Sequence, residues 1–117
     1  YLQQHFNPQV EKALAQATEL LQADVEYLEQ AATELRQQAQ HPIQLGLNRL
    51  VLRSAPLALQ RRVVRQFLQS ALTRALNFEQ IEKVTSLITA PNRSQTDPFP
   101  GGAIATVEGE WIWLKQL

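Results

Sequence analysis

The sequence predicts an α+β fold that is mainly α-helical and is closed by a small C-terminal β-hairpin. The predicted elements are one long N-terminal helix, two shorter core helices and the closing antiparallel strands. Apolar residues follow helical spacing over residues 9–40 and again over 53–74, and they alternate after residue 102. The chain has 117 residues, of which 44% are hydrophobic and 19% charged, so it can bury one globular core.

The first helix is predicted to begin at Asn7-Pro8, because Asn caps a first turn and Pro fits the first helical position. No Gly or Pro interrupts residues 9–40, and His41-Pro42 ends the run. Its apolar stripe recurs about every 3.6 residues, which is typical of a straight helix. The stripe consists of Val10, Leu14, Ala17, Leu21, Val25, Leu28, Ala32, Leu35 and Ala39. At about 1.5 Å per residue this helix would be about 50 Å long, and we expect residues 1–41 to form a linker toward a missing part of the protein.

The central helix is predicted over residues 53–74, after an apolar loop or short turn at 43–52. Ser54 is the expected cap, and Pro56 suits the first turn. Helical spacing gives this helix one apolar face. That face consists of Leu57, Val64, Phe67, Leu68, Ala71, Leu72 and Ala75.

A second core helix is predicted to begin directly after Asn77, because Asn77 and Gln80 have the spacing of a capping box. Only Asn77 would separate the two core helices, which must therefore turn sharply against each other. The second helix is expected to end at Pro91-Asn92. Its apolar face consists of Ile81, Val84, Leu87 and Ile88.

The C-terminal region is predicted to form a β-hairpin. Two β-favouring runs flank Glu108-Gly109, and Pro and Gly cluster before them. Alternation places Trp111 and Trp113 on one face, where they are typical of a hairpin core but could also stack on bases. Residues 42–117 would then form a compact domain attached to the linker helix 1–41.

Composition excludes several classes of protein. The chain contains no cysteine, which rules out disulfides, thiolate metal sites and cysteine nucleophiles. No apolar run approaches the roughly 18 residues of a membrane span and no signal peptide is visible, so we expect a cytoplasmic protein without a membrane partner. The chain begins at Tyr1 and contains no Met, so we expect it to be part of a longer protein.

Catalytic and metal-binding patterns are absent from the sequence. His5 and His41 have no second ligand at helical spacing, and we interpret both as solvated loop residues. Gly101-Gly102 precedes a strand and is interpreted as a turn rather than a phosphate loop. Glu26 and Glu29 share a helix face, but acids on the solvent side of a helix usually have no specific role. We therefore expect no catalytic residue, metal or cofactor in this chain.

A cluster of arginines is the feature that points to a binding function. Residues 41–76 contain six arginines and no acid, whereas residues 1–40 contain six acids and two bases. Arg61, Arg62 and Arg65 fall within about 100° of one another on the central helix. Guanidinium groups bind phosphate through paired hydrogen bonds, but they could equally pair with the acids of the long helix, or they could bind another acidic surface. The residues alone leave these alternatives open.

Four segments in order resemble tRNA(Ile)-lysidine synthases, over essentially the whole chain. FNPQVEKALAQATELLQADVEYLE resembles the long helix that follows the catalytic domain of that family. APLALQRRVVRQFL is similar to its arginine-rich helix, with Ala55 where Leu is usual. LNFEQIEKVTSLI resembles the next helix, and DPFPGGAIATVEGEWIWL the closing hairpin, although Glu108 stands where the family often has a base.

The resemblance implies a tRNA-binding region of an ATP-dependent ligase that attaches lysine to the wobble cytidine of isoleucine tRNA. ATP with Mg would bind in a missing N-terminal catalytic domain, because the S-G-G-x-D-S loop of that domain is not in this chain. On this basis Arg61, Arg62 and Arg65 are candidate contacts to the RNA backbone, followed by Arg53 and Arg93. The rival interpretation is a helical interaction or dimerisation module, in which the stripe of the long helix binds a second chain.

Overall fold

The computed structural model describes residues 7–116, and these confirm the mainly helical fold with closing antiparallel strands. None of the described helices is long and apolar enough to span a membrane. Within this range the elements follow in the order α1 (Pro8–Ala39), β1 (Gly46–Asn48), α2 (Arg49–Arg53), α3 (Leu57–Ala71), α4 (Phe78–Ser86), β2 (Ala103–Glu108) and β3 (Trp111–Gln116).

Helix α1 begins where the sequence predicts. The side chain of Asn7 accepts hydrogen bonds from the backbone N–H groups of Gln9 at 2.9 Å and Val10 at 3.4 Å, and Pro8 occupies the first turn. Every residue from 7 to 27 is exposed, whereas the C-terminal half of the helix packs against α2 and α3. The apolar stripe is therefore buried only near its C-terminal end, at positions such as Ala32 and Ala39.

The loop or short turn predicted over residues 43–52 is confirmed only at residues 43–45. From residue 46 onward the chain instead forms strand β1, which pairs antiparallel with β3, and the short helix α2, whose first turn is capped by Asn48. The partner strand lies far along the chain, so no local pattern indicates the pairing. Ser54 ends α2 instead of capping α3, and Pro56 precedes α3 without any side-chain cap.

Helix α3 is shorter than predicted and buries a somewhat different face. It runs from Leu57 to Ala71, so residues 72–77, and not Asn77 alone, connect it to α4. Val63 is fully buried although it was outside the predicted face, while Leu57 is 49% exposed and Ala75 lies beyond the helix. The physical reason is that α3 contacts both α1 and α4, which widens its buried surface.

Helix α4 begins with the predicted capping box. The backbone N–H of Gln80 donates to the Asn77 side chain at 2.8 Å, and the Gln80 side chain accepts from the Asn77 N–H at 3.0 Å. The helix ends at Ser86, earlier than the predicted end at Pro91-Asn92. Val84 and the residues just after the helix are buried in the core, as predicted for its apolar face.

The C-terminal hairpin is confirmed, with β1 as a third strand in the order β1-β3-β2. The register pairs Glu108 with Trp111, so Gly109-Glu110 forms the turn between β2 and β3. Ile112 is fully buried on the core face of the sheet. Gly101-Gly102 lies in the turn before β2, as predicted, with positive φ at both residues.

The two tryptophans lie on the outer face of this sheet instead of in a hairpin core. Trp111 and Trp113 stack with ring centroids 5.2 Å apart, and the His41 ring contacts both edge-on. His41 is half-buried, and its Nδ1 atom accepts hydrogen bonds from the N–H groups of Ile43 and Gln44. His41 is therefore a loop residue, as predicted, but it is partly buried against the two tryptophans. His5 lies outside the described residues.

Candidate nucleic-acid interface on helix α3

The three predicted arginines come together on one side of α3. Arg61, Arg62 and Arg65 line a shallow cavity of about 270 Å³. Helix α4 contributes Phe78 to the same cavity. The helical spacing of the arginines explains this convergence, because Arg65 is four residues after Arg61 and three after Arg62, and residues at these spacings are neighbours on a helix surface.

Arg62 and Arg65 share one carboxylate, that of Glu29 on α1. Arg62 Nη1 donates to Glu29 Oε1 at 2.6 Å, and Arg65 Nη2 donates to the same oxygen. Gln66 Nε2 donates to the other oxygen at 3.0 Å. The interpretation of Glu29 as an acid without a specific role is therefore wrong. Internal pairing with the long helix occurs for two of the three arginines.

The pKa of Glu29 is lowered by these contacts. Burial alone would raise it, but the hydrogen bonds from Gln66 and Arg62 and the positive charges of Arg65 and Arg62 outweigh the cost of burial. The group is therefore held in its charged form, and its carboxylate links α1 to α3.

Arg61 has a different partner, on α4 instead of α1. Its Nε atom donates to Glu82 Oε1 at 2.5 Å and its Nη2 atom to Glu82 Oε2 at 3.3 Å. This hydrogen bond raises the pKa of Arg61. The guanidinium carbon lies over the ring of Phe78, 5.4 Å from the ring centroid, which is a cation–π geometry.

The site retains an excess of positive charge. Among the described residues 7–116, the guanidinium groups of Arg61, Arg62 and Arg65 pair with the two carboxylates of Glu29 and Glu82, and the three side chains are 39%, 22% and 38% exposed. Arg36 extends the basic surface, because it donates to the neutral side chains of Gln66 and Gln40. The surface formed by these arginines can therefore attract an anion even when their ion pairs with Glu29 and Glu82 are formed.

Arg53 and Arg93 are not brought into this cavity. Arg53 is exposed at the end of α2, and its Nε atom donates to the Ile88 carbonyl at 3.0 Å. Arg93 is exposed in a turn beside the hairpin, with a φ of 70°, and it borders a separate cavity together with Glu108. The structure therefore separates these two arginines from the α3 cluster.

Arg49 differs from the other arginines because it is buried and stabilises the fold. It is 7% exposed and donates to three backbone carbonyls: those of Gly109 at 2.9 Å, Leu87 at 3.2 Å and Ala90 at 2.5 Å. Burial, followed by the nearby charge of Arg53, lowers its pKa. Its contacts join the hairpin turn to the end of α4, so it stabilises the fold and is not available to a ligand.

Sequence reasoning missed two residues of the site, Arg36 and Phe78. Arg36 lies near the end of α1, where a base is also favoured by the helix dipole, so it carried no separate signal. Phe78 is 63% exposed at the first position of α4. The sequence could have indicated Phe78, because an aromatic residue directly follows the capping residue, where polar residues are usual.

Comparison with known proteins identifies relatives of the chain. The family model described as the TilS substrate binding domain matches residues 47–110. A tRNA(Ile)-lysidine synthase of Nostoc sp. is 60% identical over 98% of this chain and 38% of its own length. One from Synechocystis sp. is 54% identical over 96% of this chain and 34% of its own. A chloroplastic tRNA(Ile)-lysidine synthase of Pyropia yezoensis is 31% identical over 97% of this chain and 34% of its own. The chain thus spans about a third of the length of these curated relatives.

Proposed function

Because the chain belongs to the TilS substrate-binding domain family, we propose that it binds the tRNA substrate of a tRNA(Ile)-lysidine synthase. The observation that carries this proposal is the family match, which begins at Leu47 and includes all of α3 with its arginines. In this proposal residues 42–117 form the tRNA-binding domain and residues 1–41 the linker.

The chemistry belongs, in this proposal, to another part of the same enzyme. A catalytic domain before the linker would use ATP with Mg to activate the wobble cytidine of isoleucine tRNA and join it to lysine. The enzyme would act in the cytoplasm. The contribution of this chain would be positional, because phosphate contacts set the register of a protein on its nucleic acid. The long helix α1 would set the distance from the tRNA body to the active site.

Arg61, Arg62 and Arg65 are the proposed contacts to the RNA backbone. A guanidinium group has five N–H donors, and Arg62 and Arg65 each use one of them on Glu29. The partly exposed groups therefore keep donors for a phosphate. A phosphate that accepts from both residues would take over part of the role of the Glu29 carboxylate, which already orients them toward each other.

The test is a titration of labelled isoleucine tRNA with the wild-type chain and with the variant Arg61→Gln/Arg62→Gln/Arg65→Gln. We expect the triple variant to bind at least tenfold more weakly. We also expect the dependence of log K on log salt to become shallower by about 0.7–0.9 for each phosphate that the variant no longer binds.

A matched control removes three positive charges elsewhere, from Lys12, Arg74 and Lys115. This control should keep most of the affinity, and circular dichroism should show both variants to be folded. Equal binding by the wild type and a folded triple glutamine variant would contradict the assignment of the arginines.

A second candidate function is protein association, and the exposed stripe of α1 favours it. Val10, Leu14, Leu21 and Val25 are 53%, 63%, 66% and 47% exposed and lie on one face of the helix. Contiguous exposed apolar surface of this kind marks interaction sites. The stripe could cover another part of the enzyme or pair with a second copy in a homodimer.

The association candidate is tested by sedimentation equilibrium of the wild type and of Leu14→Gln/Leu21→Gln. A wild-type dimer that the double variant dissociates would support the homodimer. A monomer at all concentrations would exclude the homodimer and leave the stripe to another part of the enzyme. RNA affinity should follow the arginines of α3 and not these leucines.

A further inference from the structure

Phe78 is an exposed aromatic residue that helix α4 does not need for its own formation. The cap of α4 is made by Asn77 and Gln80. The positions that form an apolar contact across such a cap are Leu76 and Ile81, and both are packed against the core. Phe78 lies between them with 63% of its surface exposed. The guanidinium of Arg61 covers part of this ring, and the exposed remainder offers a surface on which a planar group of a ligand can stack.

The cavity beside Phe78 combines apolar and cationic groups. Its lining consists of Ala58, Phe78 and Ile81 together with the arginines Arg61, Arg62 and Arg65. The carboxylates that pair with these arginines, Glu29 and Glu82, are not among the lining residues. The wall of this cavity therefore combines apolar and arginine side chains, and the carboxylates of Glu29 and Glu82 contact the guanidinium groups from outside the lining.

We propose that this cavity binds one unpaired RNA nucleotide, with its base stacked on Phe78 and its phosphate held by Arg62 and Arg65. The inference rests on the proposed RNA binding and deepens it. Aromatic side chains stack on bases of any kind, because every base has a π-face. A base inside a duplex is already stacked and cannot reach a side chain, so the nucleotide comes from a loop, a bulge or an end.

If a base stacks on Phe78, the contact between Arg61 and the Phe78 ring also has a function. The guanidinium of Arg61 lies over the ring and is bound by Glu82. This contact holds the ring and orients the wall of the cavity, which reduces the conformational freedom that must be given up when a base binds. Arg61 is therefore a positioning residue for the ring in addition to its proposed contact with the RNA backbone, while Arg62 and Arg65 hold the phosphate of the stacked nucleotide.

The experiment compares Phe78→Leu and Phe78→Trp with the wild type. The probes are a labelled single-stranded RNA of about ten nucleotides, an RNA duplex of the same length, and isoleucine tRNA. We expect Phe78→Leu to bind the single strand about tenfold more weakly and the duplex unchanged. Phe78→Trp should keep the affinity for the single strand. The salt dependence should be the same in all three proteins, since no charge is removed.

Three results would overturn the inference, and each has a different meaning. An equal loss of affinity for single strand and duplex in Phe78→Leu would show that the ring only supports Arg61. Unchanged affinity of Phe78→Leu for the single strand and for tRNA would show that no base stacks there, while the proposed tRNA binding would stand. Failure of the wild type to bind any of the RNA probes would overturn the proposed function together with the site.

Discussion

Replacement of Glu29 by Gln should change stability and RNA affinity in opposite directions. Glu29 holds Arg62 and Arg65 through one carboxylate oxygen, so the variant Glu29→Gln releases both guanidinium groups. The amide keeps nearly the same shape and can still contact Gln66. The substitution therefore removes the negative charge with little change in packing.

The expected loss of stability follows from the exposure of the pair. Glu29 is 37% exposed, and Arg62 and Arg65 are 22% and 38% exposed, so solvent screens both interactions. Ion pairs at this exposure contribute about 0.2–1 kcal/mol each, and the free energy of unfolding should fall by about 1 kcal/mol. For a domain of this size the melting temperature should fall by about 4 °C.

The expected gain in RNA affinity follows from Coulomb's law. A negative charge about 4 Å from a phosphate opposes binding by about 1 kcal/mol in water, which is roughly a fivefold difference in affinity. Glu29→Gln should therefore bind isoleucine tRNA about fivefold more tightly. Its salt dependence should be steeper, because Arg62 and Arg65 would then face phosphate without a competing carboxylate and would neutralise it more fully.

The assay pairs thermal unfolding, followed by circular dichroism, with fluorescence anisotropy of labelled tRNA at several salt concentrations. Glu26→Gln is the matched control, because Glu26 is an exposed acid on the preceding turn of α1. This control should change neither quantity by more than a small amount. A folded Glu29→Gln variant with unchanged or weaker tRNA binding would refute the reasoning, because Arg62 and Arg65 would then serve only to join α1 to α3.

The carboxylate of Glu29 also makes the free energy of unfolding depend on pH, in a direction that follows from its lowered pKa. The pKa of Glu29 is lower in the folded chain than its ordinary value of 4.5. Its contribution to stability is therefore complete above that value and disappears as the pH falls below 4.5 through the folded pKa. The difference in unfolding free energy between wild type and Glu29→Gln should vanish in this acidic range. A difference that persists at the lowest pH at which both fold would contradict the charge-based explanation.

Three further predictions concern the stability of the fold and the role of Arg93. Arg49→Ala leaves three backbone carbonyls without their cationic donor, so urea unfolding should show a loss of about 3 kcal/mol. Gly46→Ala would place a Cβ atom 2.4 Å from the Trp113 ring, and the same measurement should show a loss of about 1–3 kcal/mol that Trp113→Leu partly relieves. Arg93→Gly removes a side chain from a positive φ, so it should raise the melting temperature, and a simultaneous fall in tRNA affinity would support Arg93 as an RNA contact.

Elements with a strong local signal could be predicted from the sequence. Asn7-Pro8 and the apolar stripe indicate α1, because capping and side-chain periodicity depend only on nearby residues. The same holds for the Asn77 capping box of α4 and for the alternation that gives the β2–β3 hairpin. Boundaries were less well predicted, since the ends of α3 depend on what packs against it.

Strand β1 and the buried face of α3 required the tertiary structure. Gly46 and Leu47 form a strand because β3 provides partners from the far end of the chain, and only a glycine fits under the ring of Trp113. Val63 is buried because α3 lies between α1 and α4. Neither the sequence of residues 43–52 nor the helical spacing within α3 indicates these contacts.

The arginine site shows the same division between local and distant causes. The sequence by itself placed Arg61, Arg62 and Arg65 on one side of a helix, because helical periodicity depends only on spacing. It could not decide whether they pair internally or bind an anion. Only the tertiary structure brings Glu29 to two of them and Glu82 to the third, and it leaves three guanidinium groups facing two carboxylates. Ion pairing depends on how the helices pack, and that packing is a property of the whole fold.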